Sequence, residues 1–119
     1  MRRLVGLILA AGMATAAWGQ DRTPAQRQTL NELAHVLGQS HALRQACEGA
    51  SDQYWRVRMS QLLQAEAPDQ TFDRALREAF NTGYAAAQAQ FQACDAKSRG
   101  EAAQIARRGA ALAESAAGP

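Results

Sequence analysis

Apolar residues along this chain recur at three- and four-residue spacing, and no stretch alternates in the two-residue rhythm of a half-buried strand. The clearest stripe is Phe72, Leu76, Ala79, Phe80, Gly83, Ala87, Phe91 and Cys94, one face of a helix opening near Thr71 and continuing through Ala93 or Cys94. Trp55, Met59, Leu62 and Leu63 align in a second helix that starts near Ser51 or Asp52. It ends before Pro68, because proline disfavours helical geometry in the residue preceding it. Upstream, Leu30, Leu33, Val36, Leu37 and Leu43 form the inward stripe of a helix opened by Thr23 as N-cap, Pro24 at its first position and Gln26 completing a capping box. That helix is expected to run to about Cys47 and to end at Gly49 as a left-handed cap. A fourth helix opens at Ser98-Arg99-Gly100-Glu101 and frays toward Gly118-Pro119. Its stripe of Ala102, Ile105, Gly109, Leu112 and Ala113 is thin and made mostly of small residues, suited to close packing on a neighbour or to a partner. Short connections between four helices predict an all-α, up-and-down helical bundle.

The first segment stands outside this pattern. Met1-Arg2-Arg3 is a short basic region, Leu4 to Ala11 an apolar one, and small residues follow, which is the organisation of a secretory signal peptide. Cleavage fits after Ala14-Thr15-Ala16 or after Ala17-Trp18-Gly19, giving a signal peptide over 1–19 and a single helical domain over 20–119. The apolar run is shorter than the roughly 20 residues that a membrane span needs, and no later run is long enough either. With 119 residues in all, the remainder suits one small domain. Loss of Arg2 and Arg3 leaves 11 of the 13 basic residues against 11 acidic ones, so the mature chain is formally neutral. A neutral surface does not steer the protein toward nucleic acid or anionic lipid. The brief basic region and compact apolar run look bacterial, which points to the periplasm.

Export places the two cysteines in an oxidising compartment. Cys47 closes the first helix and Cys94 the third, and these helices run the same way in an alternating bundle. Both cysteines therefore lie at one end, where a Cys47–Cys94 disulfide is expected. The second helix is about eight residues shorter than the third, roughly 12 Å of rise, and the Ala67–Thr71 linker is expected to absorb that offset. A redox-active role is disfavoured, because there is no C-x-x-C pair and a helix C-terminus destabilises a thiolate.

Polar residues fall on two of the apolar stripes. His41 and Arg44 project from the inward face of the first helix, while His35 falls on the opposite, solvated face. Asp52 is placed to accept from Arg44, and the Trp55 indole to stack on the guanidinium. His41, Arg44, Asp52 and Trp55 thus form either a clamp at the junction of the first two helices or a pocket for an anion or a partner. Glu66, on the stripe of its own helix, is expected to cap free N–H groups at the start of the third helix. No haem-attachment, H-E-x-x-H or phosphate-loop motif is present, and the two histidines face opposite sides of one helix. No cofactor, metal or catalytic residue is expected, and the chain does not read as an enzyme.

Leu43-Arg44, Cys47, Trp55-Arg56, Met59, Glu66-Ala67-Pro68, Phe80-Asn81, Gly83-Tyr84 and Cys94, in that order and spacing, resemble a small uncharacterised family of secreted alphaproteobacterial proteins with two well-separated cysteines, a domain of unknown function. The likeness spans roughly Leu33 to Ala113. It implies export and a Cys47–Cys94 disulfide, and no activity or catalytic residue. Thr23-Pro24-Ala25-Gln26-Arg27 with Leu30 also looks like the helix-opening pattern of Spy-type periplasmic chaperones, although the repeated Leu-Thr-x-x-Gln signature is missing. The resulting expectation is a periplasmic binding or adaptor protein of the cell envelope whose partner is another envelope protein. The alternatives are a binder of small anionic ligands through His41, Arg44 and Trp55, a chaperone-like protein, and an envelope enzyme acting through Glu66.

Overall fold

The computed structural model describes residues 22–117, so the expected signal peptide over 1–19 and the chain's last two residues lie outside it. Four helices follow one another: α1 Pro24–Glu48, α2 Tyr54–Glu66, α3 Gln70–Gln90 and α4 Ala96–Ala117. They alternate in direction, so α1 and α3 are parallel, and among the described residues there is no strand. The expected helical bundle with one disulfide is what the chain forms.

Helix α1 is the hub. It buries residues around nearly its whole circumference, from Leu30 through Ala34, Gly38 and His41 to Leu43, as a helix enclosed by neighbours must. The other three pack on it and make few close backbone approaches to one another. One apolar cluster joins Leu30, Leu33 and Leu37 to Met59, Leu63, Phe72, Leu76 and Phe80. A second joins Val36, Ala42 and Leu43 to Ala87, Phe91 and Ile105.

The α1–α3 contact is close because both helices present small residues at four-residue spacing: Ala34, Gly38 and Ala42 on one, Ala79, Gly83 and Ala87 on the other. A Cβ at Gly38 would lie 1.9 Å from the Phe80 carbonyl oxygen, and one at Gly83 would lie 2.0 Å from the His35 carbonyl oxygen. At such a crossing the backbones themselves touch. This also corrects the placement of His35, which is half-buried because α3 crosses there instead of leaving that face to solvent.

Helix ends follow local hydrogen bonding. Thr23 and Gln26 form the expected capping box. Gly49 ends α1 with φ 110° and ψ 158°, an extended positive-φ conformation open essentially to glycine alone, in place of the left-handed helical cap. Asp52 accepts from the Tyr54 N–H at 3.1 Å, so α2 begins two residues later than expected. Asp69 caps α3 by accepting from the Phe72 N–H at 2.8 Å. The box that opens α4 is Asp95 with Ser98, each side chain bonded to the other's backbone N–H at 2.9 Å, and it precedes the expected Ser98–Glu101 pair. An aspartate is the stronger N-cap, and it draws the helix start upstream.

Cys47 and Cys94 are bonded, with their Cα atoms 4.8 Å apart. The length difference between α2 and α3 is not absorbed at 67–71, where only three residues separate the helices. It is absorbed at both ends of the 47–94 loop. The Gly49–Gln53 segment turns back so that Asp52 lies beside Arg44. Helix α3 stops at Gln90, and Phe91 continues in extended geometry (φ −126°, ψ 90°), which covers distance at twice the helical rise per residue.

Candidate functional site

The four residues grouped from sequence do not share a pocket. Arg44 donates from Nε to both Asp52 carboxylate oxygens, at 3.0 and 2.9 Å, as expected. The ring that its guanidinium covers, however, is Tyr54, 4.6 Å from the centroid, and not Trp55. His41, one turn before Arg44, turns toward α3, with its ring 5.6 Å from Phe80 and 5.1 Å from Tyr84, and is only 2% exposed. Burial pushes its pKa down, the Arg56 charge adds to this, and Asp52 opposes it. The Asp52 carboxyl is pulled up by desolvation, but the Tyr54 N–H and Arg44 outweigh that and hold it below the ordinary aspartate value. Arg44, Asp52 and Tyr54 therefore form a structural clamp between α1 and α2. His41, Arg44 and Trp55 do not converge on a common anion.

Glu66 is buried but does not cap α3, since Asp69 takes that role. Its carboxylate accepts from Arg22 Nε at 2.9 Å and from Arg22 Nη2 at 2.7 Å, and Arg22 Nη1 donates to the Ala116 carbonyl at 2.7 Å. One arginine, just ahead of the α1 cap, thus ties the ends of α2 and α4 together, with its charge matched in a bidentate pair.

Several concavities stand beside this framework. A wide, open one of about 570 Å³ lies near the disulfide between Gln45, Tyr84, Gln88 and Phe91. Its polar groups are largely engaged with one another: the Tyr84 hydroxyl donates to Gln45 Oε1, Gln88 donates to the Tyr84 oxygen, and Gln45 Nε2 donates to the Ala50 and Asp52 carbonyls.

The second, of about 410 Å³, is apolar and runs over α1 between α2 and α4. Leu33, Val36, Leu37 and Ser40 form its floor, Trp55, Arg58, Gln61 and Leu62 one wall, and Ala106, Gly109, Ala110 and Ala113 the other. It stays open because α4 contributes nothing larger than a methyl group along that wall. The register is fixed where Gly109 passes Val36, so close that an added Cβ would sit 3.2 Å from Val36 Cγ1. Since α4 and α2 both run antiparallel to α1, Ser40, Trp55, Arg58 and Ala106 share one end, and Leu33, Leu62 and Ala113 the other.

Two polar features mark the first end. Ser40 is 4% exposed and its hydroxyl has no hydrogen-bond partner among the described residues. Arg58 has no carboxylate within salt-bridge distance among them either; it stacks on Tyr54 at 4.4 Å and reaches Gln61 Oε1 at only 3.4 Å. The small-residue stripe of α4 and Trp55 were visible in the sequence. Ser40, Arg58 and Gln61 were not, because nothing in a single helix pattern says which neighbour its flank will face.

A family model described as protein of unknown function (DUF2385) matches residues 25–118. The chain belongs to the DUF2385 family. The match takes in both cysteines and every residue that lines the groove. No curated protein and no solved structure matches the chain. No described helix is long and apolar enough to cross a membrane.

Proposed function

We propose that this DUF2385 protein is an exported, periplasmic binding protein of the cell envelope, whose binding surface is the groove between α2 and α4. The observation that carries this reading is the groove itself. The concavity near the disulfide is lined by polar groups already bonded to one another, whereas along this strip apolar floor residues of α1 face an opening of about 410 Å³. Larger residues on α4 would close it, and closing it would stabilise the fold by removing more apolar surface from water. A sequence that keeps alanine and glycine there forgoes that gain, as expected of a site that must admit something. The size lies within the range of about 300–1,000 Å³ typical of small-molecule sites. The disulfide and the export signal fit the same setting, since an oxidising compartment preserves the brace that holds α1 and α3 in register.

Binding of the uncharged apolar dye Nile red to the oxidised protein tests this directly. Wild-type protein is expected to bind about one equivalent with a blue-shifted emission. The Ala110→Phe variant, whose ring fills the groove from the α4 side, is expected to lose that signal while keeping its helical circular dichroism. Equal dye binding by both proteins, or none by the wild type, would remove the groove as the binding surface.

A further inference from the structure

Resting on that reading of the groove, we propose that its ligand is a single-chain amphiphile with a carboxylate head, of the fatty-acid class. The head lies at the Ser40–Arg58 end, and the tail runs toward Leu33, Leu62 and Ala113. The buried hydroxyl and the cation of the lining, Ser40 and Arg58, lie at one end, and Gln61 on the α2 wall turns its Oε1 toward Arg58 at 3.4 Å, which gives the largely apolar channel a direction. A ligand that is apolar throughout would leave the Ser40 hydroxyl unmet, and one polar throughout would be desolvated against leucine and alanine with nothing to bond.

The head group follows from the donors. Arg58 carries a full positive charge with no carboxylate partner among the described residues, and its stacking on Tyr54 holds it at the rim. A guanidinium presents its N–H groups as a planar fork that matches the two oxygens of a carboxylate. The Ser40 hydroxyl, 4% exposed and without a partner among the described residues, supplies one more donor at the same end. One cation and one hydroxyl balance a singly charged head; a phosphate brings more charge and more acceptor oxygens than these two groups meet. Trp55 lines the same end, where a ring with an apolar body and a polar edge suits the boundary between head and tail.

Calorimetric titration of the oxidised protein with dodecanoate, dodecyl phosphate and dodecyltrimethylammonium, each below its micellar concentration, tests the assignment. Dodecanoate is expected to bind one equivalent, and at least about tenfold more tightly than the cationic probe, the factor that one charge-assisted hydrogen bond supplies. Arg58→Gln is expected to weaken dodecanoate by about the same factor and not to weaken the cationic probe. Ser40→Ala is expected to weaken dodecanoate several-fold while raising the thermal midpoint of the unliganded protein, because it removes an unmet buried hydroxyl; a residue serving structure alone would not move the two in opposite senses. Equal affinity for anionic and cationic probes, tighter binding of dodecyl phosphate, or an Arg58→Gln variant indistinguishable from wild type would overturn the proposal. If Nile red still binds and Ala110→Phe still abolishes it, that failure belongs to the ligand class and leaves the groove standing. If Nile red does not bind either, both readings fall.

Discussion

Replacing Gly83 with alanine inverts an ordinary expectation about helices. In an exposed helical position glycine to alanine stabilises by about 1 kcal/mol, because alanine loses less backbone freedom on folding. At Gly83 the new methyl carbon would sit 2.0 Å from the His35 carbonyl oxygen, 2.9 Å from its carbon and 3.2 Å from the Gln39 nitrogen. All three are backbone atoms of α1, so no rotamer change relieves the contact, and reaching ordinary separation parts α1 from α3 by more than an ångström. A gap of 0.5–1 Å already forfeits about a quarter to a half of a dispersion contact, and the residues flanking this crossing, Ala34, Leu76, Phe80 and Ala87, are at most 3% exposed. Overpacking typically costs about 1–3 kcal/mol. With the crossing made of backbone, we expect the upper end, about 3 kcal/mol, and a net loss of about 2 kcal/mol after the propensity gain. That is a fall of roughly 8–16 °C in Tm for a domain of this size. Gly38→Ala, 1.9 Å from the Phe80 oxygen, should behave alike, and the double variant should cost less than the sum, since the helices need part only once. Gly100→Ala is the control: nothing lies within 4 Å of its added Cβ, so it should stabilise by about 0.5–1 kcal/mol. Thermal and urea unfolding followed by circular dichroism on the oxidised proteins reads all four. A Gly83→Ala protein as stable as wild type, or stabilised like Gly100→Ala, would refute the touching-backbone crossing.

Three further outcomes follow from other contacts. Cys47→Ser/Cys94→Ser opens a 47-residue loop and should cost about 4 kcal/mol on the chain-entropy model, measured by urea unfolding against the reduced wild type, which should match it. Arg22→Ala leaves the Glu66 carboxylate, 9% exposed, without its cation and should destabilise by about 2–3 kcal/mol; Arg22→Lys should recover only part of this, because an ammonium cannot form the bidentate pair. Stability should also fall in acid in two stages. The His41 pKa is depressed in the folded protein, so its contribution is complete above about pH 6.5 and is lost as pH drops from there through the folded value, where the unfolded chain binds the proton first. Asp52 and Asp95 are likewise depressed, and their contributions fade as pH falls below the ordinary aspartate value. Urea midpoints across pH 3–8 for wild type and His41→Phe should differ in slope below about pH 6.5; parallel curves there would refute a buried neutral imidazole.

The fold was legible wherever a single helix carried its own signal. Phe72, Leu76, Phe80, Gly83, Ala87 and Phe91 are all buried as their spacing requires, and Thr23, Pro24 and Gln26 open α1 as read. The parallel run of α1 and α3 followed from counting helices, and with it the disulfide. What escaped were relations between helices. Gly38 matters only because Gly83 crosses it, and Glu66 turned to Arg22, which lies outside any helix, instead of to the next helix start. Likewise Arg44 stacked on Tyr54 because α2 opens two residues late and brings that ring alongside instead of Trp55. The groove was hinted at by the thin α4 stripe, but its polar end needed the antiparallel register of three helices to assemble Ser40, Trp55 and Arg58.

The proposal of export rests on the disulfide that registers α1 on α3, a bond that fits an oxidising compartment. The intact mass of the protein, isolated under alkylating conditions from cells that produce it naturally, tests both together. The expected species begins after Ala16 or Gly19, takes up no alkylating agent and is lighter by two hydrogens than its reduced form. A chain retaining Met1 or Arg2, or one carrying two alkylated thiols, would contradict it.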